Sequence, residues 1–331
     1  MQISKIASCR MRFFLGPMSK NVVDVVLEVA AASDKEWTFI PSRRQIECTG
    51  GYVNNWTTKA FSEYIKAAKL TNVLIERDHG GPGQGLEDDD GFESLSEDLK
   101  YFDIIHIDPW KKYQLYEDAL AWTIKMIQFC CAQNDTVLFE VGTEEGIRPI
   151  STSELEMFLI DLESALISEQ FRRIKYVVIQ CGTKLLEKNN TGDFDADKLK
   201  EMLAIVNHFG FIAKEHNGDW VSKETVIQKE TVGLQNLNIA PQLGEIETRV
   251  CLQTFKETPD HYNKFFQICL SSGKWKKWVS SNFDPYEDKD LLILICGHYV
   301  FSNPEFIEIK KEYPNLDTII KSTLRLFIDN L

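Results

Sequence analysis

The sequence lacks any long apolar run. No segment approaches the roughly 20 consecutive apolar residues that a helix needs to cross a bilayer, so we expect no membrane association. The N-terminus, MQISKIASCRMRFFLGPMSK, is basic, but its apolar core is barely four residues long. Such a core is too short for a secretory signal peptide, and we therefore expect a cytoplasmic protein.

Paired cysteine spacings are missing as well. None of the eight cysteines belongs to a Cys-x-x-Cys arrangement, and most lie inside apolar runs. They are Cys9, Cys48, Cys130, Cys131, Cys181, Cys251, Cys269 and Cys296. A disulfide framework or a cysteine zinc site would need closer and more regular spacing. We expect reduced thiols in the core of a cytosolic protein.

Positive charge is in short supply. The 331 residues include 37 Lys and Arg against 50 Asp and Glu, which gives a formal net charge of −13. This balance argues against a broad phosphate-backbone footprint, so we expect no nucleic-acid partner, although local basic pockets remain possible. With 44% hydrophobic and 26% charged residues, the composition is that of an ordinary globular protein.

No Gly-x-Gly-x-x-Gly turn follows the first predicted strand, as a dinucleotide-binding sheet would require. Instead, short β-branched or aromatic runs recur, each followed by a segment with helical periodicity. The predicted strands are Arg12–Leu15, Trp37–Pro41, Asn72–Arg77, Asp103–Ile107, Thr136–Val141, Ile174–Ile179, Phe211–Lys214 and Leu234–Ile239. Eight such pairs predict an α/β fold, a (β/α)8 TIM barrel, with an open doubly wound sheet as the structural alternative.

The strand–helix rhythm stops near Lys256. Beyond it, Asp260–Ser272 and Thr318–Asn330 have helical periodicity and flank an aromatic-rich segment, Trp275–Tyr299. We therefore predict a barrel over residues 1–255 and a C-terminal helical cap over residues 256–331.

Polar residues cluster at the predicted strand ends, which form the active-site face of a TIM barrel. They include Arg43, Arg44, Glu47, Glu76, Asp78, His79, His106, Asp108, Glu140, Glu144, Gln180, Glu215, His216, Asn217 and Asn238. Carboxylates and imidazoles that converge on one rim suit a divalent metal ion together with a general base.

Each of these features also has a structural explanation. Asp78–His79 precedes a glycine pair and could form a polar turn, and Glu144–Glu145 could be a solvated loop. His106 and Asp108 alternate along one strand, so they point the same way and one of them could be core packing. In the tail, we interpret His298 as structural and Lys274–Trp278 as an amphipathic cap element, with an RNA contact as the less favoured alternative.

The ordered strand ends resemble one family. Asp78–His79–Gly80–Gly81–Pro82, Ile105–His106–Ile107–Asp108, Val141–Gly142–Thr143–Glu144, Glu215–His216 and Asn238–Ile239–Ala240–Pro241 are similar to the GatZ/KbaZ family. These are the so-called non-catalytic subunits of tagatose-bisphosphate aldolase, related to class II aldolases. The similarity covers most of the chain and continues into the tail at Trp275–Lys276–Lys277–Trp278.

The resemblance implies a metal-dependent barrel. Asp78 matches a proton-transfer residue, and His79 and His216 match metal ligands. The superfamily's usual third histidine, after strand six, is absent, and Glu144 could take its place. Zn²⁺ is the ion that we expect first, with Mn²⁺, Ni²⁺ or Mg²⁺ as alternatives, because replacing a nitrogen ligand by oxygen leaves the metal's identity open.

The activity that the resemblance implies is retro-aldol chemistry on a sugar or sugar phosphate, as a ketose(-phosphate) C4 epimerase or an aldolase. Asp78 is the first choice for the acid/base, and Asp108 or Glu47 could serve the opposite face of the substrate. The alternative is a non-catalytic subunit that stabilises a separate aldolase chain. The partners that we expect are thus a small carbohydrate and either a second copy of this chain or an aldolase subunit.

One stretch departs from the family pattern. Family members carry a basic string in the C-terminal region, whereas Ile293–Tyr299 contains no Arg or Lys here. The charged group of the substrate could instead be bound by Arg43, Arg44, Lys184 or the Lys276–Lys277 pair. Gln180, Asn217 and Asn238 complete the predicted substrate-binding set.

Overall fold

The computed structural model describes residues 11–331, so Cys9 lies outside the described residues. Eight parallel strands close into a barrel in the order β1-β2-β3-β4-β5-β6-β9-β10, with β10 pairing back to β1. They are β1 (Arg12–Leu15), β2 (Trp37–Phe39), β3 (Val73–Gly80), β4 (Ile104–Ile107), β5 (Leu138–Val141), β6 (Ile174–Val178), β9 (Ile212–Glu215) and β10 (Asn236–Ile239). The predicted TIM barrel is confirmed, and the open sheet is excluded.

Helices follow the strands and cover the outside of the barrel. They are α1 (Lys20–Ala31), α2 (Thr58–Ala67), α3 (Phe92–Asp98), α4 (Tyr116–Gln133), α5 (Thr152–Ala165), α6 (Ser168–Phe171), α7 (Ala196–His208), α8 (Lys223–Val232) and α9 (Pro241–Phe255). Hydroxyl N-caps fix several starts: Ser19 accepts from the Val22 amide and Ser151 from the Glu154 amide, which satisfies otherwise unpaired N–H groups. The side chain of Glu154 pairs with Arg148.

All strands except β1 differ from their predicted bounds, most of them by one or two residues at an end. β2 ends at Phe39 rather than at Pro41, and β3 continues to Gly80, beyond the predicted end at Arg77. The extension of β3 contains a register shift between Arg77 and Gly80, which is a bulge. A bulge breaks the alternation on which strand prediction depends.

A small antiparallel hairpin, β7 (Lys184–Leu186) and β8 (Asn189–Thr191), lies between β6 and α7. The sequence analysis missed it because its strands are short and largely polar. Glu187 in its turn has a positive φ of 55° and donates its backbone N–H to the carbonyl of Trp278. The hairpin therefore contacts the segment that follows the barrel.

After Phe255 the chain is helical: α10 (Pro259–Ser272), α11 (Lys289–Cys296), α12 (Pro304–Lys311) and α13 (Leu316–Ile328), with short 3-10 turns at Lys274–Lys277 and Gly297–Tyr299. The predicted tail helices correspond to α10 and α13, whereas α11 and α12 were missed. α13 packs on α1 and α9 and buries Ile320, Leu324 and Ile328. The division at residues 255 and 256 into two domains stays a prediction.

Side chains alternate between the two faces of each strand, so the inward-facing side chains of neighbouring strands form layers inside the barrel. A lower apolar layer contains Phe14, Ile104 and Tyr176, packed with Leu74, Leu138 and Ile212. Two residues further along β3, β5 and β9 come Glu76, Glu140 and Lys214, all fully buried. Two residues beyond Glu76 and Lys214 lie Asp78 and His216 at the mouth of the barrel. The interior is thus apolar at the bottom, charged in the middle and lined by ionisable side chains at the top.

The main apolar core lies between the strands and the surrounding helices and extends into the helices after Phe255. Seven cysteines fall in the described residues; all are free, and Cys130, Cys181, Cys251, Cys269 and Cys296 are buried. Within residues 11–331, none of the helices combines the length and the apolar character needed to cross a membrane.

Candidate metal centre

A bulge at the end of β3 carries the first two functional residues. The register between β3 and β4 shifts between Arg77 and Gly80, and His79 has a left-handed backbone with φ of 47°. A non-glycine residue in this region is strained and persists when its surroundings hold it. Because the bulge breaks the alternation, the consecutive side chains of Asp78 and His79 both line the cavity at the barrel mouth.

Three imidazoles converge at this mouth from three strands. The ring centroids of His79, His106 and His216 lie 5.2 Å (His79–His106), 5.2 Å (His79–His216) and 4.9 Å (His106–His216) apart. Together with Asp78 they can bring one donor atom each to within 4.8 Å of one another. This spacing is compatible with ligands that share one ion, and it lies well inside the separation of about 8 Å that would exclude sharing.

One nitrogen of each imidazole is hydrogen-bonded to an oxygen acceptor on the side away from Asp78. His79 Nδ1 lies 2.6 Å from Asp108 Oδ2, and His216 Nε2 lies 3.0 Å from Glu140 Oε1. His106 Nε2 donates to the carbonyl of Gly142 at 3.1 Å. Such acceptors fix the tautomer and the ring orientation of metal-binding histidines. The nitrogens left over are His79 Nε2, His106 Nδ1 and His216 Nδ1.

Asp78 lies among these three nitrogens. Its Oδ1 is 3.6 Å from His216 Nδ1 and 3.8 Å from His106 Nδ1, and its Oδ2 is 3.8 Å from His79 Nε2. Burial alone would raise the pKa of Asp78, but the three imidazoles hold it well below its usual range. This carboxylate is therefore ionised at neutral pH.

The unsatisfied atoms indicate what the cluster lacks. Asp78 Oδ1 and His216 Nδ1 are buried and have no hydrogen-bond partner. A buried polar atom without a partner is costly, and a divalent ion together with a polar substrate would satisfy these two atoms. Two or three imidazole nitrogens with one carboxylate oxygen form a donor set that suits Zn²⁺ and also accepts Mn²⁺ or Ni²⁺. The residues present fit a metal ion.

The raised pKa of His79 also indicates that this site favours a positive charge. Burial would lower its pKa, but Asp78, Asp108 and Glu144 raise it to about 10. The carboxylates around this imidazole therefore favour an added positive charge, which is a proton when no metal is bound. A metal ion would have to displace that proton.

His106 and Glu144 are unequal candidates for a third ligand. His106 is fully buried and its Nδ1 already accepts the backbone N–H of His79 at 3.2 Å. Glu144 is partly exposed and lines the cavity, with Oε1 4.0 Å from His79 Nε2. The sequence analysis named Glu144 as the third metal ligand. It left open whether His106 has a chemical role or belongs to the packed core. The structure brings His106 closer to the other imidazoles.

A buried charged network supports His216 from below. Lys214 Nζ lies 2.6 Å from Glu140 Oε2 and 2.7 Å from Glu76 Oε1, and all three side chains are fully buried. Because Glu140 also holds His216 Nε2, the chain of contacts runs from Glu76 through Lys214 and Glu140 to the imidazole. Burial and the neighbouring Glu140 raise the pKa of Glu76, whereas Lys214 and the imidazoles lower the pKa of Glu140 despite its burial.

The two carboxylates that were predicted to serve the opposite face of the substrate do not line the cavity. Asp108 is fully buried; it accepts from Gln84 Nε2 at 3.0 Å besides contacting His79. Glu47 Oε2 pairs with Arg43 Nε at 2.6 Å. Asp108 thus orients a candidate ligand, and Glu47 belongs to an internal ion pair.

Several predicted substrate-binding residues are also occupied elsewhere. Arg43 contacts the carbonyl of Gly81 at 2.7 Å and Asp89 at 2.6 Å in addition to Glu47. Gln180 uses its amide on the backbone of Ile150, Thr143 and Arg148. Asn217 donates to the carbonyl of Thr183 at 3.0 Å, and Lys184 is exposed at the start of the β7–β8 hairpin. None of the four lines the cavity that contains the imidazoles.

Asn238 does line this cavity. It is 3% exposed, and its Oδ1 has no hydrogen-bond partner, as expected of a group that contacts a ligand. Asp219, which the sequence analysis did not single out, lines the cavity as well. Its oxygens accept the amides of Ala240 and Gln242 at the start of α9, and burial raises its pKa to about 7.

The chain after Phe255 closes one side of the cavity with Lys277, Trp278, His298 and Tyr299. His298 is 2% exposed, neither of its ring nitrogens has a partner, and burial lowers its pKa to about 3. Sequence analysis interpreted this histidine as structural. No local signal distinguishes it, because its place in the cavity results from contacts between distant segments.

No known sequence family and no curated protein matches this chain by sequence. Solved structures do match. A probable tagatose 6-phosphate kinase from Sinorhizobium meliloti 1021 has a TM-score of 0.69 at 13% identity, over 95% of this chain and 86% of that one. The fructuronate-tagaturonate epimerase of Cohnella laeviribosi, complexed with glycerol, has a TM-score of 0.65 at 12% identity, over 97% and 81%. The fructose-bisphosphate aldolase of Campylobacter jejuni has a TM-score of 0.55 at 14% identity, over 92% and 90%.

At these identities the similarity concerns the fold. It supports the TIM barrel that the sequence analysis predicted. Membership of the GatZ/KbaZ family itself stays a prediction.

Proposed function

We propose that this protein is a metal-dependent carbohydrate enzyme that cleaves and re-forms a carbon–carbon bond of a ketose or ketose phosphate, as a C4 epimerase or an aldolase. The observation that carries the proposal is the cluster of His79, His106 and His216 around Asp78, with unsatisfied donor atoms at the mouth of a TIM barrel. The similar folds include a fructose-bisphosphate aldolase and a fructuronate-tagaturonate epimerase, whose names describe this class of substrate.

His79 Nε2 and His216 Nδ1 would hold the metal ion, and His106 or Glu144 would supply the third ligand. Zn²⁺ is the first expectation on the nitrogen-rich donor set, followed by Mn²⁺, Ni²⁺ and Mg²⁺. When bound, the ion supplies Lewis-acid polarisation of the ketose oxygens. Asp108 and Glu140 keep the two imidazoles in the tautomers that this arrangement needs.

Asp78 is the proposed acid/base. Its carboxylate is ionised and lines the cavity, so it can accept the proton of the C4 hydroxyl while the O–H electron pair becomes the new C=O bond. The C3–C4 bond breaks in the same step, and its electrons form the enediolate of the other fragment. An aldolase releases the aldehyde.

An epimerase instead lets the aldehyde turn and present its other face. C3 then attacks that face, and the new C4 alkoxide takes a proton. That second transfer falls to one of the two further carboxylates that line the cavity, Glu144 and Asp219. Asp108 and Glu47 do not line the cavity, and they are engaged with His79 and Arg43.

The experiment is a metal and substrate screen. Purified protein is analysed for bound metal, then assayed with ketoses, ketose phosphates and uronates after loading with Zn²⁺, Mn²⁺, Ni²⁺ or Mg²⁺. We expect about one divalent ion per chain, and turnover that is lost in His216→Ala. A passive aldolase partner would bind no metal at His79 and His216 and would stay inactive with every substrate.

Isotope labelling distinguishes retro-aldol epimerisation from direct deprotonation at C4. A substrate carrying deuterium at C4 keeps the label in a retro-aldol epimerisation, because the C4–H bond never breaks. Direct deprotonation at C4 would exchange the label with solvent and would contradict the proposal. A coupled assay for the released aldehyde distinguishes aldolase from epimerase.

A further inference from the structure

A further imidazole, that of His298, lines the cavity at the barrel mouth. It is 2% exposed and shares this cavity, of about 200 Å³, with the proposed ligands His79 and His216. Among residues 11–331, neither of its ring nitrogens has a hydrogen-bond partner. Each of the three clustered imidazoles, by contrast, has one nitrogen within hydrogen-bond distance of an oxygen. Burial of His298 therefore has a cost that the proposed metal site does not offset.

Packing against α9 fixes the position of His298. The residue lies in the 3-10 turn Gly297–Tyr299, which contacts α9. A side-chain carbon on Gly244 of α9 would lie 2.7 Å from His298 Cβ, so the helix and the turn meet at a distance that only glycine allows. The centre of the ring lies 4.0 Å from that of Tyr299 and 6.3 Å from that of Tyr52. These contacts hold the imidazole without satisfying either nitrogen.

The charge of this imidazole limits what it can bind. Burial and the neighbouring charge of Lys277 lower the pKa of His298 to about 3, so the ring is neutral near pH 7. A neutral imidazole has one N–H that donates and one nitrogen that accepts. A ligand that satisfies both nitrogens must therefore accept one hydrogen bond and donate another.

Asn238 adds a second requirement for a donor. Its side chain is 3% exposed and lines the same cavity, and its Oδ1 has no hydrogen-bond partner within residues 11–331. An amide oxygen only accepts, so the ligand has to donate here as well. An ionised carboxylate has no proton to donate, whereas a sugar hydroxyl both donates and accepts. Two buried acceptors in one cavity thus favour a polyol over an anion.

We propose that His298 determines specificity for an uncharged polyol segment of the ketose, with its N–H donating to one hydroxyl and its other nitrogen accepting from a second. The assignment rests on the proposed function, which puts the carbonyl end of the ketose at His79 and His216. The role of His298 is recognition and not proton transfer. The substrate class that it selects is a ketose with hydroxyls, and no charged group, beside the Gly297–Tyr299 turn.

Three variants separate recognition from packing. His298→Leu introduces an apolar side chain of similar size and removes both hydrogen-bonding nitrogens. His298→Gln keeps a donor and an acceptor on an uncharged side chain. His261→Leu is the matched control, because His261 belongs to the same C-terminal helical region but does not line the cavity. Its Nδ1 lies 2.7 Å from Tyr313 Oη, so this imidazole has a partner.

The test measures binding by calorimetry, with D-fructose, its five monodeoxy analogues and the anionic D-fructuronate as probes. All variants are made in Asp78→Asn loaded with Zn²⁺, so that bound ketose is not cleaved. We expect His298→Leu to bind D-fructose about tenfold more weakly, since two neutral hydrogen bonds contribute on this scale. His298→Gln should bind it within about threefold of the parent, and His261→Leu within about twofold. At least one deoxy analogue should bind the parent about fivefold more weakly than D-fructose, yet bind His298→Leu equally well.

Thermal melts give a second readout. Because the imidazole of His298 has no partner, an apolar replacement removes an unsatisfied buried group and should leave Tm unchanged or raise it. Loss of a histidine that stabilises the fold would lower Tm. The expected result for His298→Leu is therefore weaker sugar binding at equal or greater stability.

Unchanged binding of D-fructose in His298→Leu would overturn the assignment, as would a loss of affinity confined to D-fructuronate. A loss that His298→Gln does not restore, with a lower Tm in both variants, would also overturn it, because His298 would then be a packing residue. The two proposals fail differently. Hydroxyl-dependent binding at His298 without turnover of any ketose under any metal would overturn the enzymatic proposal and leave this assignment standing. Turnover of ketoses that is the same in wild type and His298→Leu would overturn this assignment and leave the enzyme standing.

Discussion

Lys214→Met removes the cation at the centre of the charged layer beneath the imidazoles. Lys214 is fully buried and lies 2.6 Å from Glu140 Oε2 and 2.7 Å from Glu76 Oε1. Methionine keeps much of the volume but leaves Glu140 without its cation. Breaking a buried ion pair from one side costs about 3–5 kcal/mol. For 331 residues the entropy of unfolding is about 0.7 kcal/mol per kelvin, so we expect a Tm lower by about 4–7 °C.

The same change should weaken metal binding. Glu140 accepts from His216 Nε2 through one oxygen and contacts Lys214 through the other, so the loss of Lys214 frees the carboxylate to turn. Groups that orient a ligand in this way typically contribute about 10- to 100-fold to metal affinity. Metal titration of the purified variant, monitored by calorimetry, measures the effect beside a thermal melt of the metal-free protein.

Lys229→Met is the matched control. Lys229 is also fully buried and pairs with a buried glutamate, Glu215, but it contacts none of the three imidazoles. We expect a similar loss of Tm with a change in metal affinity below about threefold. An unchanged metal affinity in Lys214→Met, or equal losses of affinity in both variants, would show that the charged layer serves stability alone.

Further predictions concern the imidazole cluster itself. Asp78→Asn should lower kcat by about 10²- to 10⁴-fold while metal content stays near that of wild type; a loss of metal would make Asp78 a ligand instead. His216→Ala should lose metal and activity together, whereas retention of metal would contradict its assignment as a ligand. Asp108→Asn should weaken metal binding about 10- to 100-fold by loosening His79, and an unchanged dissociation constant would argue against that role. Apparent metal affinity should rise about tenfold per pH unit between pH 6 and 8, because the pKa of His79 is raised to about 10 and its proton must leave before an ion binds; a flat profile would refute this competition.

The barrel was predictable because its signal is local and repeated. Each strand is a short apolar run followed by a helical period, and the eight repeats survive small errors at the ends. The errors fall where a local rule is broken. β3 runs past its predicted end because the Asp78–His79 bulge interrupts the alternation, and the β7–β8 hairpin has too few apolar residues to register.

The spacing of residues along the strands could have predicted the inner charged layer. The sequence analysis considered only the strand ends and did not use that spacing. Leu74, Glu76 and Asp78 alternate along β3, and Ile212, Lys214 and His216 follow the same spacing towards and beyond the end of β9. If Asp78 and His216 face the mouth of the barrel, the residues two positions earlier must face its interior. The same two-residue spacing applies on β4, where His106 follows Ile104 on the inward-facing side.

The sequence cannot show which of two adjacent basic residues forms an ion pair. Arg43 and Arg44 follow the same strand and have the same chemistry. Arg43 is neutralised by Asp89, which is 46 residues away along the chain and approaches through the loop after β3. No pattern near residue 43 contains that information, because the pairing is a consequence of the closed barrel.

Buried atoms without a hydrogen bond are concentrated at the mouth of the barrel. Elsewhere in the described part of the chain, buried charges find partners: Arg77 forms a two-pronged pair with Asp98, and Lys229 pairs with Glu215. Single atoms without a hydrogen bond also occur elsewhere, such as Glu76 Oε2 and Arg173 Nη2, but at the barrel mouth several occur together. Asp78 Oδ1, His216 Nδ1, Asn238 Oδ1 and both ring nitrogens of His298 are buried without a hydrogen bond, and all five atoms belong to residues that line one cavity. Leaving such atoms unpaired is costly, and a strained His79 backbone adds to the cost. A fold under selection for stability alone would not concentrate these costs in one place, whereas a site that binds a metal ion and a polar substrate recovers them on binding.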